Sequence, residues 1–256
     1  MRKGTICLTT ASLIAGAFVV ATPVLNSAPA DDITVVGEAI LATPMTAATA
    51  ATVTNASLDC TDTAYVLEKW RLSGTYTWSY NPANAPAAIG STAATAIYRA
   101  TANLIGGYNR CGTRAGLPLT HAYQGSAVRA AQISATATCA GNDGVNVTSW
   151  GVLPTNTLAY TCTYYKTSTG TVVSSDMLLN STHKWFTGTV PTACVDSFDL
   201  ESVVAHERGH TAGLSHVDQT THSRQTMSPR TMACTTHKRL LGSGDMLGMR
   251  SLTGTR

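Results

Sequence analysis

Three histidines and a glutamate crowd one short run of the chain, His206-Glu207-Arg208-Gly209-His210-Thr211-Ala212-Gly213-Leu214-Ser215-His216. On a helix, His206 and His210 lie one turn apart and their imidazoles point the same way. That spacing suits two ligands of a single zinc ion. Gly213 can take the positive φ that other residues resist. The chain can therefore end its helix there and turn back, which brings His216 to the same ion. Three neutral imidazoles leave a fourth position for water, the arrangement of a catalytic zinc rather than a structural one. Zinc lowers the pKa of such a water toward ~7. Glu207, next to the first ligand, is placed to take its proton as general base and pass it to a leaving amine. The ion also stabilises the oxyanion that forms. The expected chemistry is peptide-bond hydrolysis through zinc-bound water, with Zn2+ as the one catalytic cofactor and no Ser or Cys nucleophile.

Several elements must position this run. Asp199 is placed to cap a helix leading into it, with Phe198 and Val203 as a hydrophobic staple. Tyr76 to Asn81 alternates ring and polar residue, the pattern of a half-buried strand. Ser91 to Ile105 carries apolar residues at helical spacing and ends at Gly106-Gly107. Val145–Trp150, Thr157–Tyr164 and Thr171–Leu179 read as strands, and a last helix holds Met246, Met249 and Leu252. Asp245 reads as its plain N-cap. Asn142-Asp143-Gly144 reads as an Asx turn, so calcium is possible but not supported.

The eleven-residue run resembles the signature of the metzincin clan of metallopeptidases. Thr226-Met227-Ser228-Pro229 resembles the Met-turn of its matrixin branch, with Met227 at the turn and Met232 the weaker candidate. The resemblance implies an α+β, zincin-like metzincin catalytic domain. It would have a twisted mixed sheet, a backing helix, the active-site helix and a C-terminal helix, with a cleft across the sheet edge above the zinc. Thr157-Leu158-Ala159-Tyr160 is similar to the strand that pairs with substrate, so Leu158 and Ala159 would offer backbone groups to a protein or peptide. Leu178 and Tyr160 stand where the family places histidines for a structural zinc, so no second zinc is expected. No cysteine lies between residues 31 and 59 to serve as the family's latency switch. Arg208 replaces an apolar residue of the family and is expected to face solvent. His222 is expected at the rim of the site.

The rest of the chain suggests where such an enzyme works. Arg2 and Lys3 precede an apolar stretch centred on Leu13 to Val20, and Ala28-Pro29-Ala30 offers small residues for cleavage. Residues 1–30 therefore read as a signal peptide. Residues 31–56 read as a short pro-segment or linker with little patterning, and 57–256 as the metalloprotease domain. Arg2 and Lys3 supply two of the three net positive charges, so the mature chain has no electrostatic footprint for nucleic acid or an anionic membrane. Beyond Cys7 six cysteines remain, an even set that reads as three disulfides in an exported chain. Six allow fifteen pairings; the sequential one, 60–111, 139–162 and 194–234, is the expectation. A secreted monomer of the bacterial matrixin-like type follows as the reading. The alternative is a secreted zinc-bearing binding protein without hydrolysis, against which the intact Glu207 speaks.

Overall fold

The computed structural model describes residues 32–43 and 60–255. The signal-peptide reading and most of the 31–56 segment lie outside them. The fold is α+β, a seven-stranded mixed sheet with three helices. The strands are β1 (Ile33–Thr43), β2 (Val66–Leu67), β3 (Gly74–Tyr80), β4 (Leu119–Ser126), β5 (Val147–Gly151), β6 (Thr157–Lys166), β7 (Thr171–Asn180), β8 (Lys184–Phe186), β9 (Ser197–Asp199), β10 (Leu214–Ser215) and β11 (Arg230–Met232). The helices are α1 (Ala93–Ile105), α2 (Leu200–Ala212) and α3 (Ser243–Thr253). The large sheet runs β11-β1-β6-β7-β5-β3-β4. Within it β4, β3, β5 and β7 are parallel, while β6 is antiparallel to both its neighbours.

In β3 the alternation holds. Tyr76, Trp78 and Tyr80 are buried while Gly74, Thr75 and Thr77 are exposed. In α1 the buried Ala93, Ala96, Ile97, Ala100, Leu104 and Ile105 form one apolar face, which joins the main core. Helix α2 differs, because every one of its residues is buried. It packs between α1, β6 and the segments leading to α3, so its polar side chains must find partners inside the protein.

The three disulfides are Cys60–Cys111, Cys139–Cys162 and Cys194–Cys234, the sequential pairing. The second sits in a small apolar cluster of Ala131, Ile133, Leu153, Tyr164 and Leu178, with Tyr160 packed against it. No helix among the described residues is long and apolar enough to cross a membrane.

The structure departs from expectation at the N-terminal end of the sheet. Residues 33–43, expected as an unpatterned lead-in, form the eleven-residue strand β1 inside the large sheet. The sequence of β1 shows no strong period-two alternation because its apolar residues stand at both even and odd positions. The β-branched Ile33, Thr34, Val35, Val36 and Ile40 still favour a strand.

Candidate metal centre

Helix α2 is fixed at both ends. Asp199 caps it, accepting from the Ser202 amide at 2.9 Å and the Ser202 hydroxyl at 2.6 Å. The Arg239 guanidinium grips the same carboxylate through Nε at 2.8 Å and Nη2 at 2.6 Å. At the other end Gly213 adopts φ +110°, and its amide donates to the carbonyls of Gly209 and His210. The chain then reverses through β10, which carries it to His216.

This geometry gathers the three histidines. The Nε2 atoms of His206, His210 and His216 lie 3.1 Å from one another. Among the described residues they form a group of side chains able to hold a metal ion. His206 Nδ1 is 2.7 Å from the Thr226 carbonyl and His210 Nδ1 is 2.9 Å from the Leu214 carbonyl. A carbonyl can only accept, so each Nδ1 carries the proton and each Nε2 keeps its lone pair. Burial holds His206 and His210 well below the usual imidazole range and pushes His216 down to about 4. Three converging neutral nitrogens repel one another unless a cation sits between them. Their separation is close to that of ligands about 2.0–2.1 Å from a tetrahedral zinc. The donor set fits zinc.

Glu207 is completely buried beside them. Its Oε1 accepts from the Ile40 amide of β1 at 3.0 Å, while Oε2 has no hydrogen-bond partner. Burial pushes its pKa up to about 8, against the pull of the Thr161 hydroxyl and the Ile40 amide, and Glu38 adds to the rise.

Met227 lies under the helix. A Cβ on Gly209 would overlap the Met227 sulfur, so glycine at this position lets the methionine approach the backbone. The turn is held by two residues whose part in the site is not evident from the sequence. Asp245 accepts from the amides of Thr226 at 2.7 Å, Met227 at 3.2 Å and Gly242 at 2.8 Å. It is therefore not the N-cap of α3, which is Gly242; it reaches back from the third helical position and ties α3 to the turn at Met227. The three-residue spacing from Gly242 is that of a capping box, the one signal available. Lys238 is fully buried and donates to the Ser228 carbonyl at 2.6 Å, the Ser228 hydroxyl at 2.7 Å and the Arg230 carbonyl at 2.7 Å. A lysine in the short 3-10 turn His237–Arg239, between two other basic residues, carries no sequence signal of such a role.

Arg208 also departs from expectation. Instead of facing solvent it is 1% exposed. It donates to Tyr76 Oη at 2.6 Å, Thr148 Oγ1 at 2.5 Å and Thr101 Oγ1 at 3.3 Å, and lies over the Tyr76 and Trp78 rings. The position faces the sheet, and three hydroxyls there replace the water that a guanidinium needs. His222 does not touch the histidine cluster; its Nδ1 bonds Asp62 at 3.0 Å. Met232 lies in β11, away from the turn. Gly144 donates to Asn142 Oδ1 at 2.9 Å, which closes the expected Asx turn. Leu158 and Ala159 are buried in β6, and Ala159 pairs with Ile40 of β1.

The matrixin family model matches residues 154–254, a span that holds β6, the whole histidine run and Met227. No curated protein matches the chain.

Proposed function

With residues 154–254 a matrixin-like metzincin unit, we propose that the protein is a secreted zinc endopeptidase with Glu207 as its general base. The family supports a zinc metalloprotease, and the three disulfides are consistent with an oxidising, extracellular location. The observation that carries the reading is the juxtaposition of three converging Nε2 atoms with a buried carboxylate that has one oxygen free.

His206, His210 and His216 would hold the ion. When bound, zinc supplies Lewis acidity for the water and the carbonyl of the bond to be cut. Glu207 would hold a proton taken from the water and deliver it to the leaving nitrogen; that its carboxylate already accepts from the Ile40 amide supports such a reach. Strand β6 and the segment around β11 bind the substrate as an added strand, with Leu158 and Ala159 in the β6 part of the slot. Met227, Asp245 and Lys238 position the floor and wall of the site without touching substrate.

The test compares wild type with Glu207→Ala on casein, with and without a chelator. Zinc bound per chain is measured on both. The expected result is chelator-sensitive cleavage by the wild type that zinc restores. The variant should lose at least ~10³-fold in rate while keeping one zinc per chain. Retained turnover in the variant would exclude Glu207 as the general base. A zinc-loaded chain that never hydrolyses a peptide, its own included, would favour the binding-protein reading.

A further inference from the structure

The large sheet contains a strand, β1, that lies between β6 and β11, where the protease reading puts the substrate. β1 runs antiparallel to β6 from Ile33, opposite Lys166, to Leu41, opposite Thr157. Its end also runs parallel to β11, with Leu41, Ala42 and Thr43 opposite Arg230, Thr231 and Met232. Leu41 donates to the Pro229 carbonyl and Ala42 to the Asn156 carbonyl, both at 2.9 Å, so this end is gripped from two sides. Just before these grips the β1–β6 register slips by one residue at Ile40 and Leu41. At that break the Ile40 amide turns to the Glu207 carboxylate. Ile40 is wholly buried and belongs to the main core. Just upstream, Glu38 Oε2 lies 3.6 Å from Nδ1 of His216. Further back the Tyr160 ring covers Gly37 so closely that a Cβ there would overlap it.

Resting on the protease reading, we propose that residues 33–43 are the enzyme's own first substrate: the strand fills the cleft in the direction of a peptide to be cut, blocks it, and is cleaved between Ala39 and Ile40. The bond is assigned by Glu207, because the nitrogen it touches is the one that must leave with a proton. One water is consumed. Its oxygen adds to the Ala39 carbonyl carbon and the bond to the Ile40 nitrogen breaks. Glu207 carries both protons of the water across to that nitrogen, one after the other, and Ala39 ends as a carboxylate and Ile40 as a protonated amine. The same geometry states a preference, a branched aliphatic residue directly after the cut and a residue without a side chain three positions before it.

This is a different device from a cysteine on the metal, and the segment contains none. It is also different from a constitutive sheet strand. Such a strand would have no reason to break its ladder at the glutamate or to place its amide on that carboxylate.

The experiment uses the full chain as wild type, Glu207→Ala and Gly37→Leu, oxidised and loaded with zinc. Intact mass and N-terminal sequencing read the cut, and hydrogen exchange reads the strand. In Glu207→Ala, the amides of residues 35–42 should exchange on the order of 10²-fold more slowly than in a free peptide of the same sequence. Wild type should convert to a chain beginning at Ile40, at a rate independent of protein concentration. Gly37→Leu should lose protection at residues 35–42 while β7 and α2 keep theirs, and should cut casein without a lag. Wild type that digests casein while 35–42 stay attached and protected overturns the proposal and leaves the protease reading in place. Cleavage confined to other bonds does the same. Failure of casein cleavage in both wild type and the strand-released Gly37→Leu overturns the protease reading itself.

Discussion

Gly213→Ala separates the turn that delivers the third histidine from the helix that carries the first two. At φ +110° any side chain is strained, at a cost of roughly 1–2 kcal/mol. A Cβ there would also overlap the Trp70 carbonyl oxygen and crowd Leu252 Cδ2 at 3.1 Å. Trp70 cannot retreat freely. Its indole donates to the His210 carbonyl at 2.8 Å and stacks on Tyr165 at 5.0 Å. Losing that hydrogen bond costs about 1 kcal/mol, and the stacking is worth about 0.5–1.5 kcal/mol. The sum is a loss of about 2.5–4.5 kcal/mol in the metal-free protein. Because His216 follows three residues later, its Nε2 should leave the cluster, and zinc affinity should fall on the order of 10–100-fold. Urea midpoints of the metal-free chains measure the first effect, and competition with a chelating dye measures the second. Gly254→Ala is the control: that glycine is also left-handed, at φ +69°, but a Cβ there meets nothing within 4 Å. It should lose only the backbone part, about 1–2 kcal/mol. Equal losses in the two variants, or unchanged zinc affinity in Gly213→Ala, would refute the role assigned to this turn.

Two further perturbations test the frame. Burial pushes the Asp176 pKa up to about 6, with the Gln132 and Val147 amides pulling it down. Its folded value lies above its unfolded one, so its contribution is most favourable below pH ~4 and is lost as pH rises through ~6. Wild type should therefore lose up to ~3 kcal/mol relative to Asp176→Asn between pH 4 and 7, read as the change in their stability difference across a pH series of denaturant melts. Lys238→Met keeps the stem but leaves the Ser228 and Arg230 carbonyls without their donor. We expect a loss of about 2–4 kcal/mol by the same melts, and, on the proposed reading in which the β11 segment walls the cleft, a raised KM for peptides with less change in kcat. An unchanged KM would argue that the wall stands without Lys238.

The histidine run is legible in the sequence because its chemistry is periodic. A helical step of four and a glycine break set the placement of all three rings, and the structure places them together. The strands at 74–80, 147–151, 157–166 and 171–180 are legible as well, since runs of β-formers end there at turns. What escapes a sequence reading is long-range. Arg208 looks solvent-facing because nothing in its neighbourhood along the chain reveals Tyr76 and Thr148, 132 and 60 residues away. Asp245 and Lys238 act on backbone carbonyls and amides, which leave no residue-type signature. β1 is hidden for a similar reason, because its partners are other strands' backbones and its apolar residues stand at both even and odd positions.

These blind spots share a cause in the position of α2. A helix buried on every side cannot be recognised by an apolar stripe, and each polar residue on it must be satisfied by a different part of the fold. Glu201 receives Asn103, Ser202 bonds Asp199, and Thr211 meets Ser175. Arg208 has its three hydroxyls, and His206 and His210 have their carbonyls. Among the described residues, one buried side-chain atom of this helix has no partner, Oε2 of Glu207. Leaving a buried acceptor unpaired costs about 1–3 kcal/mol. The Thr161 hydroxyl, itself buried without a partner, lies near enough to pull the Glu207 pKa down, and no other side chain or amide donates to this oxygen. The vacant acceptor lies next to three nitrogens fit for zinc and beside a peptide amide, where a water to be deprotonated would supply the missing donor.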